Sequence, residues 1–152
     1  MPTTKEDAPP KRADAERLAD IFTNLQRCFI LRLSKELSRG NVSFPQYCLL
    51  TFLSQQGNLA MSEIAQRMGH TTAAATGLVD RLENLGHVKR AHGKEDRRKI
   101  LVEITPTGQA LVAEIRDDMV TNLLKMMTHL DADEQQSWVR IYEKIFCYCQ
   151  KP

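Results

Sequence analysis

The chain has 152 residues, of which 42% are hydrophobic and 26% charged, with a formal net charge of +2 at pH 7. This length suffices to bury one hydrophobic core, so we expect a single small domain. No run approaches the roughly eighteen consecutive apolar residues that a membrane span needs. The four cysteines fall within apolar helical patterns and not in a dense disulfide framework, so we expect a cytoplasmic protein.

A polar tail and a long amphipathic helix are the first predicted elements. Residues 1–12, MPTTKEDAPPKR, are polar and proline-rich, so we expect a flexible tail that is not a signal peptide. The helix follows from residue 13, with apolar residues at helical spacing, and is expected to end near Gly40. Pro45 then predicts the first turn of a second helix, because proline is favoured at that position.

The segment that begins at Met61 is typical of a helix-turn-helix. Gly69 can adopt the positive φ that a tight turn between two helices requires, and the small Ala65 lets the helices cross closely. Thr71 or Thr72 is expected to cap the second helix, where hydroxyls and free amides can hold a phosphate. Taken alone, the pattern also fits an αα-hairpin of an ordinary helical protein.

A basic hairpin is predicted directly after this second helix. From Lys89 to Lys99 there are six Lys or Arg residues and two acidic ones, and strand-forming residues such as Val88 and Ile100 flank a turn at Gly93. A run of charge is usually a solvated face. Its place after a candidate recognition helix favours contacts with phosphates or the minor groove, so we expect a two-stranded wing.

Two further helices are predicted after the wing. The first begins at Thr105-Pro106, and the second begins after Asp131, which is a favourable capping residue. Together with the first helix, they carry more apolar surface than one small winged helix needs. Dimerisation is the simplest explanation, and capping of a monomeric core is the alternative.

Four short motifs in the central region carry a family resemblance. They are Thr76 with Leu78-Val79-Asp80-Arg81-Leu82, Gly86-His87-Val88-Lys89-Arg90, Asp96-Arg97-Arg98, and Ile104-Thr105-Pro106-Thr107-Gly108. They resemble the multiple antibiotic resistance regulator (MarR) family of winged-helix transcription factors, over residues 13–149 as one domain. The resemblance implies a mainly α fold with a small β-hairpin wing. Residues 45–105 would form the winged helix, and residues 13–39 and 106–149 the dimerisation helices.

The resemblance implies a transcriptional regulator that binds double-stranded DNA. We expect a homodimeric repressor whose two recognition helices enter successive major grooves, about 34 Å apart, of a pseudo-palindromic operator. The predicted DNA-binding residues are Thr71, Thr72, Ala73, Ala74, Thr76, Arg81, Lys94, Arg97 and Arg98. Asp96 is predicted to hold a wing arginine through a salt bridge.

Release from DNA by a small aromatic or anionic effector is also implied by the resemblance. Phe29, Arg32, Tyr47 and Met68 are candidates for lining its cleft, although each is equally explained as a core or surface residue. Oxidation of Cys28 is the competing trigger, set against an inert buried thiol. We predict no cofactor and no metal site.

Two other classes of function agree less well with the sequence than DNA-dependent regulation does. The sequence has no glycine-rich phosphate loop, nucleophile elbow or carboxylate pair with a shared cleft, which argues against an enzyme. A protein-interaction module that does not use DNA would bind it weakly and without salt dependence, and the local basic charge argues against that.

Two positions depart from the family pattern at the helix-turn-helix. Ala60 stands where a capping threonine is common, so we expect Ser62 or a water to replace it. His70 stands at a commonly aliphatic position. We expect it to pack within the turn, with a contact near the DNA backbone as the alternative.

Overall fold

The computed structural model describes residues 11–93 and 99–150. Within these residues the elements are α1 (Arg12–Arg39), α2 (Phe44–Gln56), β1 (Asn58–Ala60), α3 (Met61–Met68), α4 (Thr72–Asn84), β2 (Val88–His92), β3 (Ile100–Ile104), α5 (Pro106–Met127) and α6 (Ala132–Cys149). The chain divides between Phe44 and Pro45 into two compact units. The mainly helical winged-helix architecture with a small antiparallel sheet confirms the predicted fold class.

Within the first unit, α1 is a long helix with a largely exposed apolar face. Its only buried residue is Leu37. A third or more of the surface remains exposed at Leu18, Ile21, Phe22, Leu25, Phe29, Ile30 and Leu31. The helix ends before Gly40, as predicted, and the N–H of Val42 donates to the carbonyl of Leu37 at 3.1 Å to close the turn.

The core of the second unit forms between α2, the helix-turn-helix, the sheet and the start of α5. Its fully buried apolar side chains are Leu49, Leu50, Leu53, Ile64, Ala75, Val79, Leu82, Val88, Val102 and Ile115. Three of these residues, at positions 75, 79 and 82, lie on the inner face of α4. The 3.6-residue helical period therefore leaves the opposite face of α4 outside the core.

The wing belongs to a three-stranded antiparallel sheet, where the sequence predicted two strands. The strand order is β1-β3-β2, and β1 pairs with β3 through Leu59 opposite Val102. Both of these side chains are buried. A strand of only three residues carries too little alternation to be recognised in sequence, and its formation depends on pairing with a distant partner.

The turn of the helix-turn-helix is set by Gly69. This residue has φ 62° and ψ 31°, and its N–H points back to the last turn of α3, as the sequence predicted. At the other end of α3, the Glu63 carboxylate accepts the backbone N–H of Ala60 at 2.8 Å, which is the half of a capping box that Glu63 can supply. Ala60 makes no side-chain cap, and its replacement by Ser62 or a water stays a prediction. His70 is exposed, which contradicts the prediction that it packs within the turn.

Helices α5 and α6 begin at the predicted residues. The hydroxyl of Thr105 accepts the N–H of Gly108 at 3.2 Å, and Pro106 occupies the first turn of α5. Asp131 and Glu134 exchange bonds with each other's backbone N–H groups at 2.9 and 3.0 Å, which forms a complete capping box. None of the described helices combines the length and apolarity that crossing a membrane would require.

Candidate nucleic-acid interface

The second helix of the helix-turn-helix presents a face of short side chains away from the core. Thr71, Thr72, Ala73 and Ala74 at its start are exposed, while Thr76 is partly buried. Ala75, on the other side of the same turn, has no exposed surface. The six positions from 71 to 76 thus separate into a buried anchor and an accessible outer surface, which is the arrangement of a helix that can enter a groove.

Hydrogen bonds organise the threonines at the start of α4. Thr71 is the N-cap residue, and its hydroxyl accepts the N–H of Ala74 at 3.2 Å. The hydroxyl of Thr76 donates to the carbonyl of Thr72 at 2.8 Å. The oxygen of Thr76 therefore keeps acceptor capacity, and the Thr71 hydroxyl keeps its proton for donation. The first amides of the helix have no intrahelical acceptor, so this end also attracts an anion such as a phosphate.

Arg90 connects the wing to the outer side of α4. Its guanidinium donates to the carboxylate of Asp80 at 2.5 Å and also to the carboxylate of Glu83. The backbone N–H of Arg90 donates to Glu83 Oε1 at 3.0 Å. The hydrogen bond to Asp80, supported by the bond and charge of Glu83, raises the pKa of Arg90 despite partial burial. These contacts fix the orientation of β2 relative to α4, because they join side chain and backbone to one helix.

A second junction holds the base of the wing against the start of α5. The Thr105 hydroxyl donates to the carbonyl of Gly86 at 2.6 Å, and the Thr105 N–H donates to the carbonyl of His87 at 3.0 Å. Gly108 packs so closely that an added Cβ would lie 2.2 Å from the His87 oxygen. The turn at Gly86 and His87 and the first turn of α5 therefore pack closely against each other.

The described part of the wing carries one cross-strand ion pair. Lys89 on β2 and Glu103 on β3 are directly opposite in the register, and their charged atoms lie 3.2 Å apart. Both groups are substantially exposed, so the pair contributes little to stability. The predicted wing-tip residues Lys94, Asp96, Arg97 and Arg98 lie outside the described residues. Their contacts with DNA, and the Asp96 salt bridge, stay predictions.

The sequence predicted the outer face of α4 as the candidate interface. It did not predict the residues that hold the wing against this helix. Arg81, predicted to contact DNA, is exposed on α4. The sequence predicts no role for Arg90 beyond its place in a family motif, and none for Glu83. Two acids three residues apart on one helix, followed by a cation in the next strand, could have indicated this bridge.

The four candidate effector-pocket residues fall in both units. Phe29 and Arg32 lie on α1, where Arg32 is exposed and Phe29 borders a hollow of about 600 Å³ within the first unit. In the second unit, Met68 is partly buried in α3. Tyr47 is buried in α2, with its hydroxyl 4.0 Å from the sulfur of Met119. Burial, with a smaller contribution from Cys48 and an opposing one from the charge of Arg116, raises the pKa of Tyr47 and so disfavours the ionised form of this hydroxyl.

The cysteines differ in their surroundings. Cys28, the redox candidate, is exposed on α1, so burial does not make it inert, and oxidation sensing by this thiol stays a prediction. Cys48 is partly buried, and burial raises the pKa of its thiol. Among residues 11–93 and 99–150, no three His, Cys, Asp or Glu side chains are grouped so that they could hold a metal ion.

Relatives of known class match the segment that contains this interface. The sequence profile of the MarR family matches residues 41–99. The chain is 35% identical over 108 residues to YfiV of Bacillus subtilis, an uncharacterized HTH-type transcriptional regulator, which covers 71% of this chain and 66% of YfiV. It is 30% identical over 134 residues to the HTH-type transcriptional regulator PapX of Escherichia coli, with 82% of this chain and 80% of PapX covered.

A solved structure shares the fold over nearly the whole chain. The structure of a MarR family protein from Bacillus stearothermophilus matches with a TM-score of 0.85 at 19% identity, and covers 93% of this chain and 99% of that one. The chain spans about half to two thirds of the length of three of the curated relatives that it matches. These relatives are named as regulators and not as enzymes. On the profile match and the identity with PapX, this chain belongs to the MarR family of winged-helix transcriptional regulators.

Proposed function

We propose that the protein is a sequence-specific DNA-binding regulator in which the start of α4 enters the major groove of an operator. The observation that carries this proposal is the division of α4. Its inner residues Ala75, Val79 and Leu82 are wholly buried, while its capped first turn is exposed. A rigid anchor with an accessible, anion-attracting end is what groove binding requires.

Each predicted DNA-binding residue has a role in this proposal. The Thr71 hydroxyl and the first amides bind a phosphate and fix the register of the helix on the duplex. Thr72 and Thr76 offer hydroxyls and methyl groups to base edges, while Ala73 and Ala74 offer methyl groups to thymine. Arg81 contacts a phosphate. Lys94, Arg97 and Arg98 at the wing tip border or enter the minor groove, where Asp96 restrains an arginine.

The proposed assembly is a homodimer formed through the helices that flank the winged helix. α6 has eighteen residues and buries none of them, although Ile141, Tyr142, Ile145 and Phe146 are all apolar and half or more exposed. Helices in water are stabilised mainly by packing an apolar face, so this face is expected to be covered. α1 has a similar exposed face, and a second copy of the chain would offer both faces a partner.

We further propose repression from a pseudo-palindromic operator, with release by a small aromatic or anionic molecule. Two-fold symmetry of the dimer implies two related half-sites one helical turn apart. Family membership supports release by an effector, which must bind the DNA-competent and DNA-incompetent arrangements with different affinity. Because the partner is DNA, the proposed place of action is the cytoplasm.

The first test is selection of bound duplexes from a random pool by the purified protein, followed by affinity measurements at several salt concentrations. We expect a pseudo-palindrome that is bound with a steep salt dependence. Arg81→Ala should reduce the salt slope by about one unit for each bound protomer, about two for the dimer, because each protomer loses one phosphate contact. Arg140→Ala, an exposed arginine on α6, is the matched control. A wild-type protein that enriches no motif and binds without salt dependence would refute the proposal.

The dimer has a separate test by sedimentation equilibrium. We expect a mass of twice 17.3 kDa for the wild type. Phe146→Glu places a charge on the exposed apolar face of α6, and should shift the equilibrium toward the monomer. Gln136→Glu places the same charge at an exposed polar position of the same helix and should not. A monomeric wild type at micromolar concentration would contradict this assembly.

A further inference from the structure

Gly77 lies in the middle of α4, and nothing in the described fold requires a glycine at this position. It is exposed, its φ is not positive, and a Cβ built on it meets no described atom within 4 Å beyond its own helix. Gly69 and Gly86, by contrast, need positive φ values, and Gly108 packs directly against a backbone oxygen. The fold would therefore accept a side chain at position 77 where these other glycines would not.

A glycine in this place weakens the helix. Among residues other than proline, glycine is the least favourable one inside a helix, because it loses the most backbone freedom on folding. The helix tolerates this cost because Ala75, Val79 and Leu82 anchor its inner face in the core. No described element fills the space beside Gly77, so the bare backbone there is left open to a partner that approaches closely.

The position of Gly77 on the helix identifies that partner. It lies four residues after Ala73 and four before Arg81, so the three share one face, opposite the buried Val79 side. The side chains before it, from Thr71 to Thr76, are all short. Short side chains reach base edges only when the helix backbone lies deep in the groove. A side chain at the centre of that face would hold the backbone away.

We propose that Gly77 is a positioning residue for DNA recognition, whose bare Cα lets α4 approach the base edges of the major groove. This inference rests on the proposed function, because it takes the outer face of α4 as the DNA-binding face. Gly77 acts through its neighbours: the closer approach allows the threonine hydroxyls and alanine methyl groups of the first two turns to read bases. The residue itself supplies space and no hydrogen bond from a side chain.

The test compares Gly77→Ala and Gly77→Leu with the wild type on two duplexes. One duplex carries the site selected from a random pool, and the other is an unrelated sequence of equal length. Both variants should melt at the wild-type temperature or above, because alanine and leucine are better helix formers. Affinity for the selected duplex should fall about tenfold for alanine and further for leucine, as expected for steric overlap in a packed contact. Binding to the unrelated duplex and the salt slope should change little, since phosphate contacts persist.

Ala113→Leu is the matched control, because it adds to an exposed position on α5 the same atoms that separate Gly77→Ala from Gly77→Leu. It should leave affinity for both duplexes unchanged. Wild-type affinity of Gly77→Leu for the selected duplex would overturn the inference and leave the proposed function intact. A lower melting temperature for Gly77→Ala would also overturn it, because the glycine would then serve the fold. A wild type that binds neither duplex would overturn the proposed function together with the inference.

Discussion

Replacing Arg90 by methionine should loosen the wing from α4 and destabilise the protein. Methionine keeps most of the apolar stem but removes the guanidinium that bonds Asp80 and Glu83. The Arg90 side chain is 28% exposed, and those of Asp80 and Glu83 are 53% and 36% exposed, so neither pair has the energy of a buried one. Exposed pairs contribute about 0.2–1 kcal/mol, and hydrogen bonds to charged groups about 1.5–3 kcal/mol when well shielded.

The geometry places Arg90 between these limits. We expect a loss of about 1.5 kcal/mol in the free energy of unfolding, which corresponds to about 3–6 °C in Tm for a chain of this size. The N–H of Arg90 keeps its bond to Glu83, so β2 should stay paired with the helix in part. Affinity for the selected duplex should also fall, because the wing is no longer held at a fixed angle to α4.

The assay is urea unfolding at one fixed protein concentration, since association shifts apparent stability. A double-mutant cycle with Glu83→Gln isolates the charged contact, and glutamine retains an oxygen for the Arg90 N–H. We expect a coupling energy of about 1 kcal/mol. Arg140→Met is the control for loss of an exposed arginine. The reasoning would be refuted if Arg90→Met and Arg140→Met were equally stable within about 0.3 kcal/mol and the cycle gave no coupling.

Three further predictions concern the second unit. Gly108→Ala should cost about 1–3 kcal/mol in urea unfolding, because its Cβ would overlap the backbone oxygen of His87; an unchanged stability would contradict that packing. Cys48 should react with a thiol reagent at least about tenfold more slowly in the folded protein than in urea, because burial raises its pKa; equal rates by mass spectrometry would show an accessible thiolate. Burial also raises the pKa of Tyr47, so the unfolded state releases that proton first, and stability should fall as pH rises above 10.0, the ordinary pKa of a tyrosine. Tyr47→Phe should make this fall shallower, and identical stability curves for the two proteins above that pH would refute the assignment.

The helix boundaries were predictable because their determinants are local. Pro106 follows a capping threonine, Asp131 precedes Glu134 by three residues, and Gly69 stands where a left-handed turn is required. Each of these interactions joins residues within one helical turn, so the linear order of the residues carries the information. The buried face of α4 was predictable for the same reason, since its apolar residues recur at the spacing of one helical turn.

Features that depend on contacts between separate elements were missed or wrongly predicted. β1 exists only because Leu59 meets Val102 across the sheet. His70 is exposed although its position suggested packing, because the direction of a turn residue depends on what lies beside the turn in space. Arg90 reaches Glu83 seven residues earlier only after the chain has turned from helix into strand.

Short-range spacing and intact motifs were enough to predict the helices, the helix-turn-helix, the family and the caps of α4, α5 and α6, because each depends on residues that stand close together in the chain. Folding in three dimensions was needed to establish which residues hold the wing to α4, which small strand completes the sheet, and that no other described element fills the space beside Gly77. These depend on packing between separate elements, where the energy of a contact is available only after the intervening chain has folded.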